Sequence, residues 1–194
     1  MSIIEKIKEI ELLYQEDSNL PNPKFGAGYR RERIRDLLPY VFESYEGDVL
    51  EIGCHVGKTT IFLCEQARKF NRKVFCIDPY CGEQEGDENV FKEFKKNTEQ
   101  YADVLNFYRV SSQSEEAKKV LKDNKFCFVL IDGLHTVDGC RKDIELCKGI
   151  PVQAVDDLTW GKGLKKLFLQ KAEEYNYESY HGKVCREGYY IKRY

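Results

Sequence analysis

Five short β-rich runs in this chain lead directly into residues able to do chemistry. Glu51 sits in Glu51-Ile-Gly-Cys-His-Val-Gly-Lys-Thr-Thr60, and Asp78 follows the run at 74–77. Ser111, Ser112 and Gln113 follow the run at 105–110, Asp132-Gly-Leu-His135 follows 126–131, and Asp156-Asp157 follows 152–155. Three carboxylates (Asp132, Asp156 and Asp157) brought into one cleft would repel each other, so a cation or shared protons must compensate. Hard oxygen donors with room for water and a substrate oxygen suit Mg2+. His135 adds a side chain whose neutral form accepts a proton at cellular pH, its unperturbed pKa being ~6.5. His55 and His181 read as structural or surface residues. Asp157 has a second reading, as N-cap of a helix beginning near Thr159-Trp160-Gly161.

The glycine loop departs from two nucleotide-binding patterns. A Walker loop needs four residues between its glycine and Gly-Lys-Thr, whereas three separate Gly53 from Gly57, and Ile52 stands where the extra spacing would put a glycine. The dinucleotide pattern G-x-G-x-x-G fails at His55. What remains is a strand carrying an acid, then G-x-x-x-G, then a helix, which lets a ligand approach backbone amides at a helix N-terminus. Asp78, at the end of the second strand, is placed to accept hydrogen bonds from both ribose hydroxyls of a nucleoside. Alternatively it is a turn residue before Pro79.

The elements that must position these residues follow from periodicity. Runs at 49–52, 74–77, 105–110, 126–131 and 152–155 alternate with helical stretches at 58–70, 88–99, 113–122, 137–147 and 161–174. That rhythm signals βαβ units, and continuous apolar strands signal a parallel sheet covered on both faces. Two Tyr-rich segments, 176–181 and 186–194, lack room for a crossover helix between them and predict an antiparallel hairpin. The expected fold is a Rossmann-like three-layer α/β/α sandwich with a seven-stranded, mostly parallel sheet. Two N-terminal helices, one starting near Ile3 and one across 30–42, precede it, so residues 1–47 form a substrate-side cap and 48–194 the core of a single compact domain.

Composition narrows the function classes. At 194 residues the chain is one domain, and 31 Lys+Arg against 33 Asp+Glu leave no basic excess to hold a nucleic acid. The eight cysteines form no C-x-x-C pair, and several lie in apolar runs such as Phe126-Cys127-Phe128, as reduced thiols of a cytoplasmic protein do. The charged N-terminus lacks a signal peptide's apolar stretch, and the run at 126–131 is far short of the ~20 residues a membrane span needs.

Three segments together resemble a family: Val49-Leu-Glu-Ile-Gly-Cys-His-Val-Gly-Lys-Thr-Thr60, Cys76-Ile-Asp-Pro-Tyr80 and Leu130-Ile-Asp-Gly-Leu-His-Thr-Val-Asp-Gly-Cys-Arg-Lys-Asp-Ile144. They look like class I S-adenosylmethionine-dependent methyltransferases, closest to the macrocin O-methyltransferase-like group and more distantly to catechol-type O-methyltransferases. The resemblance spans about residues 28–194. It implies that Glu51, Gly53, Gly57 and Thr59 hold the methionine part of S-adenosylmethionine, with Cys54 beside them, and that Asp78 holds its ribose. Ser112 and Gln113 match a pair beside the adenine, although Val110-Ser111 replaces the usual preceding glycine. Asp132, Asp156 and Asp157 match a divalent-metal set, with Asp132 also counted among cofactor contacts. His135 matches the general base, so His135 and Asp132 are the catalytic pair. Only Lys148-Gly-Ile-Pro151 precedes the fifth strand, where relatives have a longer Gly-Gly turn.

The substrate side is less patterned. Lys24, Arg30, Arg31, Arg33 and Arg35 read as a solvated helix face balanced by Glu32 and Asp36, the alternative being an anion-binding edge together with Tyr29. Residues 80–87, with Gly82 and Gly86, suggest a lid, and Trp160 a pocket wall or a packing residue. With about 45 residues left outside the core, a small hydroxylated acceptor (a sugar, polyketide or phenol) fits better than a macromolecule. The competing readings are an S-adenosylmethionine-binding domain without turnover and a P-loop-type nucleotide-binding protein. A homo-oligomer stays open.

Overall fold

Inner strands such as Val74-Phe-Cys-Ile77 and Phe126-Cys-Phe-Val-Leu-Ile131 cannot leave either face in water, and the chain covers both with helices. In the computed structural model, which describes residues 1–16, 30–81, 87–159, 163–182 and 186–193, seven strands form one sheet. They are β1 (Asp48–Ile52), β2 (Val74–Ile77), β3 (Leu105–Tyr108), β4 (Phe126–Ile131), β5 (Val152–Val155), β6 (Tyr177–His181) and β7 (Gly188–Lys192). The helices are α1 (Ile3–Glu16), α2 (Arg30–Ser44), α3 (Lys58–Lys69), α4 (Asp87–Thr98), α5 (Glu115–Asp123), α6 (Val137–Leu146) and α7 (Leu164–Glu174).

The strand order is β3-β2-β1-β4-β5-β7-β6, with the first five parallel and β7 antiparallel to both β5 and β6. The order reverses between β1 and β4. Crevices at such a point, outside the carboxyl ends of the strands, are where open α/β sheets bind ligands. This matches the fold class expected from the sequence.

Strand alternation sorts the two faces. Val49 of β1 and Val74 and Cys76 of β2 point toward α1, α2, α3 and α4, whereas Leu50, Ile52, Phe75 and Ile77 point toward α5, α6 and α7. The N-terminal helices therefore share a core with the sheet: Ile34, Leu38 and Val41 of α2 are fully buried, each side chain contributing roughly 1.5–3 kcal/mol. Glu51 has the parity of Val49 and lies opposite Cys76 in the β1–β2 register, on the α3 side of the sheet.

Two boundaries differ from the periodicity reading. β3 ends at Tyr108, and α7 begins at Leu164 behind an N-cap Gly163 with φ 96°, so Asp157 does not cap that helix. The glycine there supplies the left-handed turn that a helix starting at 161 would have lacked. Trp160, Cys185, the hairpin connection at 183–185, the lid residues Gly82 and Gly86, and Tyr29 and Lys24 lie outside the described residues. No described helix is long and apolar enough to cross a membrane. The seven described cysteines are free thiols, all buried except Cys81.

Candidate active site

The loop after β1 runs against the end of β4 so closely that only glycine fits at its start. Gly53 has φ 85°, and a Cβ there would lie 2.0 Å from the Asp132 carbonyl oxygen. Gly57, φ 77°, opens α3. Between them the amides of Cys54 and His55 donate to Asp78 Oδ2 at 2.8 and 3.1 Å, and the Tyr80 amide donates to Oδ1 at 2.9 Å. Tyr80 closes the circuit by donating its hydroxyl to the His55 carbonyl at 2.6 Å. Asp78 thus both makes the turn before Pro79 and shapes the glycine loop. A carboxylate already bonded to the loop amides opposes a phosphate there, which argues against the P-loop reading. His55, exposed and with φ 47°, serves as backbone in this circuit.

Glu51 lies beneath the loop, 1% exposed, accepting from Thr60 Oγ1 at 2.6 Å and from Cys76 Sγ at 3.3 Å. Burial pushes its carboxyl up to about 7, against the pull of these two donors. Its carboxylate, Cys54 and Cys76 form a compact buried group. Burial also raises both thiols.

On the other side of the loop, Ser112 Oγ and Gln113 Nε2 donate to Asp143 Oδ1 of α6 at 2.6 and 3.2 Å. Asp143 is buried, and a Cβ on Gly133 would lie 2.8 Å from its Oδ2. The Ser-Gln pair is therefore anchored at the same sheet edge as Asp132.

Asp132, His135 and Asp157 converge. His135 Nε2 is 3.4 Å from Asp132 Oδ1 and 3.2 Å from Asp157 Oδ2, and donor atoms of the three lie within 4.8 Å of one another. Asp157 reaches this position with φ 55°, a left-handed conformation that re-aims the side chain after β5. Burial pushes Asp132 up, but hydrogen bonding to His135 and the Arg30 charge outweigh it and hold the carboxyl below its ordinary range. The hydrogen bond to Asp132 raises His135, and burial raises Asp157.

Asp156 is bound differently. Its Oδ2 contacts Arg30, whose Nη1 is also 2.9 Å from Asp132 Oδ2 and whose Nη2 donates to Thr59 Oγ1 at 3.1 Å. Asp156 Oδ1 is buried without a hydrogen-bond partner among the described residues. The Arg30 side chain is 16% exposed and fills the crevice where β4, β5 and α3 meet. Arg33 turns inward too, in a bidentate pair with buried Glu187 at 2.7 and 2.9 Å. This corrects the sequence reading of the basic stretch: Arg35, paired with Asp36, is on the solvated face, but Arg30 and Arg33 are not. Their signal was present in the spacing, since 30, 33, 34, 37, 38 and 41 fall on one helical stripe.

The family profile described as "Methyltransferase domain" matches residues 50–152. A search of curated proteins returns no match. Among solved structures, the chain is similar to apo CalS11, a TDP-rhamnose 3'-O-methyltransferase of calicheamicin biosynthesis, at 14% identity, 97% of this chain and 93% of that one, TM-score 0.63. It is similar to a candidate caffeoyl-CoA O-methyltransferase from Staphylococcus aureus at 14% identity over 98% and 100% of the two chains, TM-score 0.65. It is also similar to the SAH-bound methyltransferase PaMTH1 of Podospora anserina at 11% identity over 97% and 87%, TM-score 0.63. With the profile covering more than half of its length, the chain belongs to the methyltransferase-domain family and has the fold of the class I S-adenosylmethionine-dependent enzymes.

Proposed function

We propose that the protein transfers a methyl group from S-adenosylmethionine to a hydroxyl of a small molecule (a sugar, polyketide or phenol), with Mg2+ assisting at the acid cluster. The observation that carries this reading is the convergence of Asp132, His135 and Asp157 at the carboxyl ends of β4 and β5, beside the Gly53–Gly57 loop. S-adenosylmethionine supplies the methyl as a sulfonium. Glu51, Gly53, Cys54, Gly57 and Thr59 would hold its methionine part, Asp78 its ribose, and Ser112 and Gln113 its adenine.

The donor set fits a hard divalent cation. The Asp132 and Asp157 carboxylates lie within ligand reach of one another, and the orphaned Asp156 Oδ1 is a buried acceptor that a cation would satisfy. A divalent ion held by Asp132, Asp156 and Asp157 would stabilise negative charge developing on the acceptor oxygen. His135, hydrogen-bonded to Asp132, takes the proton from the acceptor hydroxyl as general base. Asp132 orients the ring, and the ring takes that proton in its neutral form. The exposed Leu134, next to His135, gives the acceptor side an apolar edge. α1 and α2 form the acceptor-side cap, and the free thiols of the described cysteines suit a reducing, cytoplasmic compartment.

The test is formation of S-adenosylhomocysteine from a panel of small hydroxylated acceptors, with and without a chelator. Asp132→Ala and His135→Ala are each expected to lower turnover by roughly a hundredfold or more, the usual range for a lost general base. Unchanged turnover in both variants would show this assignment to be wrong, and chelator-insensitive turnover would remove the Mg2+ role.

A further inference from the structure

One side chain of the crevice has no role in the chemistry above. The Arg30 guanidinium, at the first residue of α2, joins Asp132 on β4, Asp156 on β5 and Thr59 in the first turn of α3. A planar guanidinium binds two carboxylates in a fixed fork, which makes it an effective resident counter-charge for an acid pair. Asp132 divides its oxygens accordingly: Oδ2 faces Arg30, and Oδ1 faces His135.

We propose that Arg30 is a built-in competitor of the divalent cation, so that the guanidinium and the metal alternate at Asp132 and Asp156. This rests on the methyltransferase reading above, because it takes Asp132, Asp156 and Thr59 as parts of the metal and cofactor sites. Arg30 holds Oδ2 of both carboxyl groups, and a divalent cation taking their Oδ1 atoms would lie beside the guanidinium and be repelled by it, so the metal binds tightly only as Arg30 leaves. Departure of Arg30 also releases Thr59, which lies in the cofactor loop region. Metal and cofactor then draw on the same arginine-out state. Ligands that favour one state of a two-state element each raise the other's affinity, by the same factor in both directions. With Arg30 in place, Asp132 and Asp156 keep a positive partner, while Asp157 faces His135 and Arg186.

The experiment is calorimetric titration of Mn2+ and Mg2+ into the wild-type protein, Arg30→Ala, Arg30→Gln and Arg30→Lys, each with and without saturating S-adenosylhomocysteine. Removing the competitor is expected to tighten metal binding at least tenfold in Arg30→Ala and Arg30→Gln, while Arg30→Lys stays near wild type. S-adenosylhomocysteine is expected to tighten metal binding several-fold in wild type and to have no such effect in Arg30→Ala. If Arg30→Ala melts at room temperature, Arg30→Gln decides. Equal or weaker metal affinity in the neutral variants overturns the proposal, as does absence of metal binding in every variant. Failure of S-adenosylhomocysteine to bind any variant counts instead against the methyltransferase reading, and the ligand-free metal titrations still report on Arg30.

Discussion

Glu51→Gln separates the cost of a buried acid from its use. Glu51 is 1% exposed, and burial raises its carboxyl from 4.5 to about 7. Between those values the folded protein holds a proton that the unfolded chain has lost, so wild-type stability falls as pH rises through that interval. At ~1.4 kcal/mol per pH unit, the gap costs about 3 kcal/mol once Glu51 is fully ionised above pH ~8. Glutamine is neutral throughout and its carbonyl still accepts from the Thr60 hydroxyl. Urea denaturation is therefore expected to show the variant about as stable as wild type near pH 5 and more stable by up to about 3 kcal/mol at pH 8. Affinity should move the opposite way. The methionine part proposed to lie at Glu51 carries an ammonium, which would draw off the proton, so wild-type S-adenosylhomocysteine binding should release a proton near pH 6 and tighten toward pH 8. The variant should bind roughly tenfold or more weakly, a loss of about 1.4 kcal/mol, and release none. A stability difference independent of pH would refute the burial argument. Unaltered affinity, with no proton release in wild type, would refute the proposed contact between Glu51 and the methionine part of the cofactor.

Two further perturbations test other parts of the architecture. Glu187 is fully buried against Arg33, so Glu187→Ala should cost about 3–5 kcal/mol in chemical denaturation by removing the bidentate carboxylate from a buried guanidinium, while Arg33→Met with Glu187→Leu should recover most of it. Recovery failing in the double variant would mean that the pair holds the hairpin by more than charge balance. Asp143→Ala should free Ser112 and Gln113 and weaken S-adenosylhomocysteine binding roughly three- to tenfold, whereas Asp143→Asn, whose carbonyl can accept both hydrogen bonds, should bind nearly as wild type. An Asn variant as weak as Ala would show that charge, not positioning, is what Asp143 supplies.

What could be read from the chain and what could not divides along a physical line. Asp78, Asp132 and Asp156 each follow a parallel strand directly, Asp157 comes one residue later, and parallel strands end at one edge, so their neighbourhood was implied by periodicity alone. Their individual directions were not. Asp156 and Asp157 are adjacent, and residues in succession along a strand point to opposite sides. Asp157 reaches His135 because its backbone is left-handed, a property of the packed β5 exit that no local preference of aspartate demands. Asp156 is left to face Arg30. The like-charge argument from sequence required a positive partner for these acids and offered a bound cation or shared protons. The structure supplies a third answer, an arginine from the N-terminal helix. Its supply depends on how α2 docks across α3, and only tertiary packing decides that. The same docking stripe, Ile34, Leu37, Leu38 and Val41 beside Arg30 and Arg33, buries the helix and delivers the two guanidiniums. A change that loosens α2 from α3 should therefore weaken the hold of Arg30 on Asp132 and Asp156 without touching any acid in the cluster.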